Sequence, residues 1–291
     1  MAYHRYRWSR LLLPLTVVTT GLLASGCGKQ FVVLDPQGPV ARSELHLIET
    51  TAMAMGVVVL FVLVLFAVTV LKFRDRPGNR APYIPNWSGS RRLEFVLFAI
   101  PVLIVVYIAV PTVQQTYALD RLPPTKHPLI IDVTSLDYKW LFQYPKQGVA
   151  TVNYIDVPVG VPVLFELTAN SPMNTFWIPQ LGGMEYSMPG RVLPLYLQAD
   201  KAGVYWGRSA NFSGRGFVHM VFHVKAMPPA EFSRWAQGLR TTAPHMSMQD
   251  YRQLLAVGTA REESFSAYPA GTFPTATHGF TLKGGMYLEP N

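Results

Sequence analysis

Two uncharged, strongly apolar stretches, Thr50–Leu71 and Phe95–Leu119, constrain this chain more than any other feature. Each is long enough to cross the ~30 Å hydrocarbon core of a bilayer as a helix. Pro101 and Pro111 inside the second stretch are tolerated where neighbouring helices re-satisfy the backbone. The loop between them, residues 72–92, carries Lys72, Arg74, Arg76, Arg80, Arg91 and Arg92 against one acid, Asp75. Such a cationic excess holds a loop in the cytoplasm. A transmembrane hairpin over 50–119 follows, with both ends outside. The composition, 49% hydrophobic and 14% charged, suits a membrane protein with a sizeable soluble part. The net charge of +8 sits largely in this loop and in Arg5, Arg7 and Arg10, where it sets topology; no nucleic-acid partner is expected.

The N-terminus supports the same orientation. Three arginines within residues 1–10 precede the apolar run Leu11–Leu23 and then Ala24-Ser25-Gly26-Cys27. This is the three-part pattern of a secretory signal, with a cysteine where cleavage falls. It resembles a bacterial lipobox. Residues 1–26 are expected to be a signal peptide and Cys27 a lipidated N-terminus on the outer side of the membrane, followed by an outer segment over 27–49. An uncleaved signal anchor with a buried cysteine is the alternative. Cys27 is the single cysteine, which excludes an intrachain disulfide and any site needing two thiolates.

From about residue 127 the chain turns into short segments rich in β-branched and aromatic residues, separated by Gly/Pro turns. Strands are expected over Leu129–Ser135, Tyr138–Tyr144, Val152–Val157, Val163–Thr168, Asn174–Ile178, Val192–Ala199, Gly203–Arg208 and Phe217–Val224. That spacing suggests a β-sandwich or barrel over 127–227. In the last strand Val218, Met220, Phe222 and Val224 share a face by the two-residue period, which makes it a core face. A helical segment follows over 228–260. Ala230–Leu239 starts after prolines, and Ser247-x-x-Asp250 caps Tyr251–Val257, closed by Gly258. Residues 261–291, rich in Gly, Pro, Ser and Thr without periodicity, read as a flexible tail.

The chemistry concentrates in Gly207–Met220. This stretch has the spacing of a C-x-E-x-C-G-x-x-H-x-x-M copper loop, but Ser209 and Ser213 stand at the thiolate positions, Asn211 at the glutamate and Phe217 at the histidine. Only Met220 remains. Soft thiolates hold copper; a hydroxyl that does not ionise near neutral pH does not replace them. His219 and His223, four apart on the expected strand, lie ~13 Å from each other along it, too far to share a metal; they read as solvent-facing. His245, Met246 and Met248 read as loop packing. Of the aromatic residues Trp140, Phe142, Tyr144, Phe176, Trp177, Tyr205 and Trp206, most read as core.

Further motifs carry a resemblance. Tyr138-Lys139-Trp140-Leu141-Phe142-Gln143-Tyr144-Pro145 is similar to a W-x-W-x-F-x-Y-P signature, and Asn174-Thr175-Phe176-Trp177-Ile178-Pro179 with Leu181-Gly182 and Met188-Pro189-Gly190 to an H-S-F-x-x-P…L-G…PGR frame. In that frame Asn174 replaces a copper histidine. These motifs, the hairpin and the lipobox resemble subunit II of the haem–copper oxidase superfamily. Asn170–Asn174, Ala150–Asn153 and Phe212–Phe217 resemble the bacterial bo-type ubiquinol oxidases in particular.

The resemblance implies a cupredoxin-like Greek-key domain on the periplasmic side of the inner membrane. It implies a non-redox subunit of a proton-pumping ubiquinol oxidase, without copper A, cofactor or metal of its own and without cytochrome c as donor. Haems and copper B would belong to subunit I, and subunits III and IV would be further partners. It also places Glu94, at the head of the second helix, near the mouth of a proton-uptake path into subunit I. The same carboxylate would complement the helix dipole and pair with Arg91 or Arg92. A free-standing membrane lipoprotein with a ligand- or partner-binding cupredoxin-like domain is the alternative.

Overall fold

The computed structural model describes residues 31–82, 86, 89–119 and 128–274. Cys27 with the lipobox-like segment lies outside these residues, as do residues 275–291.

Two long helices form the expected hairpin. α1 (Pro39–Phe73) and α2 (Arg91–Leu119) pack against each other, and both are long and apolar enough to cross a membrane. Their apolar side chains are exposed all round, as lipid- or helix-facing surface requires. Asn79 caps the end of α1, its Nδ2 donating to Lys72 O at 3.2 Å and Arg74 O at 2.9 Å.

α1 starts at Pro39 rather than near Thr50, so its first turns stand clear of the apolar stretch and meet the outer domain. Gln37 N–H donates to Gln180 O at 2.7 Å, Asp200 N–H donates to Gln37 O at 2.9 Å, and Ala41 N–H donates to Leu181 O at 3.2 Å. The approach is close enough to require glycine. A Cβ on Gly38 would lie 2.3 Å from Gln198 O, and one on Gly182 would lie 2.6 Å from Val40 Cγ1.

The outer domain is a sandwich of two sheets. Its strands are β1 (Leu129–Leu136), β2 (Lys139–Tyr144), β3 (Val149–Val152), β4 (Tyr154–Pro158), β5 (Val163–Ala169), β6 (Asn174–Trp177), β7 (Met184–Ser187), β8 (Leu193–Leu197), β9 (Gly203–Ser209), β10 (Val221–Met227) and β11 (Glu263–Phe265). One sheet has the order β11-β3-β2-β1-β5-β8 and the other β4-β10-β9-β6-β7. The β1–β5 and β4–β10 pairs are parallel and the rest antiparallel.

Between the sheets Trp140, Phe142, Phe165, Phe176 and Phe222 form one aromatic cluster. Phe176 and Phe222 stack at 5.0 Å between centroids, and Trp140 meets both edge-on at 5.6 and 5.8 Å. Each such pair adds about 0.5–1.5 kcal/mol beyond area burial.

Several further elements differ from their expected bounds. The expected strand Val152–Val157 is two, broken at Asn153, which has φ +58. Its side chain accepts from Trp140 N–H at 2.8 Å and donates to Ala260 O at 2.9 Å. The expected strand Phe217–Val224 begins only at Val221, because Phe217–His219 is a 3-10 turn. Val218 is therefore exposed while Met220, Phe222 and Val224 are buried, and His219 and His223 share no strand. Helix α4 (Met248–Leu254) carries the Ser247/Asp250 capping box as expected but ends before Gly258.

Finally, the tail expected from residue 261 is packed through residue 274. β11 pairs with β3, and Phe265 joins Leu136, Leu141, Ala150, Val152, Met246 and Leu254 in a second cluster on the outer face of the six-stranded sheet. That cover is why β2 and β3 are buried on both faces. It separates Met246, which is buried, from Met248, which is exposed. α3 (Pro229–Thr242) packs beside it, with Trp235 edge-on to Tyr144 at 5.4 Å.

Gly38→Ala should push the first turn of α1 off the domain while leaving both membrane helices intact. The expected result is amide exchange at Ala41 faster by at least about tenfold; unchanged exchange there would show that the turn is not clamped.

Candidate functional site

β6 and β9 lie side by side, and the loop after β9 returns to the core at Met220. This brings the expected positions together. Asn174 opens β6 and Ser209 closes β9, both buried, and Met220 lies beneath them, also buried. The cap of the frame is pinned from outside by Tyr138, held at φ +68. Its ring lies on the loop so closely that a Cβ on Gly216 would come within 2.2 Å of it.

The polar atoms of the frame are committed to one another. Asn174 Nδ2 donates to Ser135 Oγ at 2.7 Å and Pro172 O at 3.0 Å, with Ser171 Oγ at 3.3 Å. Ser209 Oγ donates to Asn174 Oδ1 at 3.1 Å and has Asn211 O as a second acceptor at 3.3 Å. Asn211 Nδ2 turns away to Met173 O at 2.9 Å. Ser213 Oγ lies 3.8 Å from Met220 Sδ, a weak acceptor. Phe217 packs edge-on against Phe212 at 5.8 Å. Ser135 and Ser171 belong to this network although no spacing rule singles them out; the only sequence signal is their nearness to Asn174 once β1 and β6 are placed.

The chemistry of this donor set does not fit copper A. That centre needs bridging thiolates and imidazoles, and the frame offers hydroxyls, amides and a phenyl ring, with one thioether. Both ends of the Asn174 amide are occupied by hydrogen bonds that a metal would have to break. Among the described residues no group of three or more His, Cys, Asp or Glu side chains converges elsewhere.

Glu94 lies far from this frame in sequence, in the first turn of α2, and is exposed. Its Oε1 is folded back over Gly89, where a Cβ would lie 2.8 Å away. Among the described residues no ion pair joins it to Arg91 or Arg92.

A membrane hairpin carrying a cupredoxin-like sandwich with a copper A frame defines the subunit II class of respiratory oxidases. Residues 127–227 match the family described as "Cytochrome C oxidase subunit II, periplasmic domain". Along most of its length the chain is similar to proteins of the quinol branch. It is 42% identical over 260 residues to quinol oxidase subunit 2 of Bacillus anthracis, covering 88% of each chain. It is 38% identical over 277 residues to ubiquinol oxidase subunit 2 of Acetobacter aceti, covering 94% of this chain and 89% of that one. It is 38% identical over 236 residues to cytochrome bo(3) ubiquinol oxidase subunit 2 of Pseudomonas putida, covering 80% and 74%. The chain belongs to the quinol oxidase subunit 2 family.

Asn174→Ala removes the amide that satisfies Ser135 and Ser209 in the core. The expected cost is about 1–3 kcal/mol of stability, read as a lower melting temperature of the purified chain; an unchanged melt would mean that the network contributes nothing.

Proposed function

We propose that this chain is the non-redox subunit II of a proton-pumping ubiquinol oxidase, which oxidises ubiquinol and reduces oxygen to water. The observation that carries the reading is the hydrogen-bonded closure of Asn174, Ser135 and Ser209 at the copper A frame. A subunit that passed electrons would have to keep soft ligands there. Electrons then enter from quinol rather than from cytochrome c. The haems and copper B belong to subunit I, and subunits III and IV complete the complex.

In this reading the hairpin packs against subunit I, and the outer domain, clamped to α1 through residues 37–41, covers its periplasmic surface. The lipidated Cys27 is the second anchor at the outer leaflet of the inner membrane. The basic loop between α1 and α2 faces the cytoplasm. Glu94, exposed at the head of α2, collects protons for the uptake path into subunit I. Its carboxylate is exposed at the head of α2, and it is free of an arginine partner among the described residues. Both features leave it open to bulk water.

Affinity purification of a tagged chain in mild detergent tests the reading. Co-purifying haem with oxygen uptake driven by ubiquinol and indifferent to cytochrome c is the expected result. A haem-free, inactive preparation from cells that respire normally would point to a free-standing lipoprotein instead. Within the active complex, Glu94→Ala should lower proton-coupled turnover at unchanged haem content, because loss of a proton-transfer group slows the step it serves. Unchanged turnover would remove Glu94 from the proton path.

A further inference from the structure

The outer face of the six-stranded sheet holds two carboxylates with no role in the site above. Asp132 on β1 and Glu166 on β5 are direct partners in the parallel register. Their neighbours Ile131, Val133, Phe165 and Leu167 point into the core, so both acids point out, on strands about 4.8 Å apart. Residues 266–274 pass over them as a strap. A cavity of about 340 Å³ beneath it is lined by both acids and by Tyr268, Pro269, Thr272 and Phe273. Asp132 is only 9% exposed. Neither carboxylate has a hydrogen bond or ion pair among the described residues.

Among the described residues the groups lining the cavity around the pair supply no positive charge. Gln143, opposite Asp132 on β2, is neutral and donates through Nε2 to Thr272 Oγ1 at 2.7 Å. Tyr268 in the strap faces Asp132, and Tyr196 on β8 faces Glu166. Tyr251 on α4 donates to Thr272 O at 3.1 Å. Lys146, in the turn after β2, reaches Pro128 O at 3.5 Å. Burial first, and then the Glu166 charge, push Asp132 up to about 7. Burial raises Glu166 as well. Burial and then Asp132 push Tyr268 to about 12, so that phenol stays neutral.

We propose that Asp132 and Glu166 form a proton-operated latch that decides whether the strap 266–274 lies closed on the sheet. With one proton between them the pair is a carboxylic acid beside a carboxylate, which is tolerated under a roof whose described residues carry no cation. When that proton leaves for the outer solvent, two like charges face each other beneath the strap, and opening hydrates both. The closed state therefore binds the proton more tightly than the open state, in which an aspartate titrates near 3.9. Closure is fully favoured below that value, weakens as pH rises toward about 7, and changes little above it. The outer domain thereby responds to local acidity, whichever quinol the complex uses.

Hydrogen exchange of residues 264–274 in the purified complex, corrected for intrinsic exchange rates, tests the latch. Wild-type strap opening should rise at least about tenfold between about pH 5.5 and about pH 8. In Asp132→Asn the rise should vanish and the strap stay protected at the higher pH, and in Glu166→Gln the rise should shrink, because burial alone still raises Asp132. Opening that ignores pH in the wild type, or that rises equally in both variants, would overturn the proposal. Should Asp132→Asn fail to assemble, the isosteric Glu166→Gln decides alone.

Discussion

The aromatic cluster between the two sheets is the contact on which the outer domain depends. Phe176 on β6 and Phe222 on β10 stack across β9, and Trp140 and Phe142 on β2 close on them from the opposite sheet. This packing fixes the distance between the sheets. It also fixes where β6 begins and β9 ends, and so where Asn174 and Ser209 meet. Aromatic burial holds this frame, and no coordination is needed to keep its shape. At Asn174 and Ser209 a buried amide and hydroxyl must find each other or leave unmet hydrogen-bonding groups in the core.

Coupling to the membrane follows from a second constraint, the backbone contact of residues 37–41 with the loops at Gln180–Gly182 and Gln198–Asp200. α1 runs unbroken from this contact into its apolar stretch. The domain and the hairpin are therefore joined at the start of α1 as well as through the chain that leaves α2. For a subunit whose proposed work is to pack against and cover a partner, a hydrogen-bonded contact between the membrane part and the outer part is the relevant property.

Much of this was legible in the sequence, for identifiable reasons. The hairpin follows from two apolar runs and a basic loop. β1, β5 and β9 follow from β-branched and aromatic residues between turns. Ser209, Ser213 and Met220 keep the intervals of a ligand loop in the sequence, and the fold brings Ser209 to Asn174 and Met220. What stayed hidden depends on contacts distant in sequence. Asn153 splits a strand because its side chain serves Trp140 and Ala260. Phe217–His219 reads as strand by composition but coils so that Met220 can reach the core. β11 is three residues in a Gly- and Pro-rich stretch, and only the outer face of β3 gives it a partner. Ser135 and Ser171 carry no signal until Asn174 is beside them.

The central claim is that the frame holds hydrogen bonds where relatives that carry copper A hold a metal. The most direct measurement is copper analysis of the purified oxidase, paired with the electron paramagnetic resonance spectrum. The account predicts only the copper that the haem-bearing subunit accounts for, and no thiolate-bound copper signal. Additional copper that tracks this chain, and is lost on Asn174→Ala or Met220→Leu substitution, would contradict it.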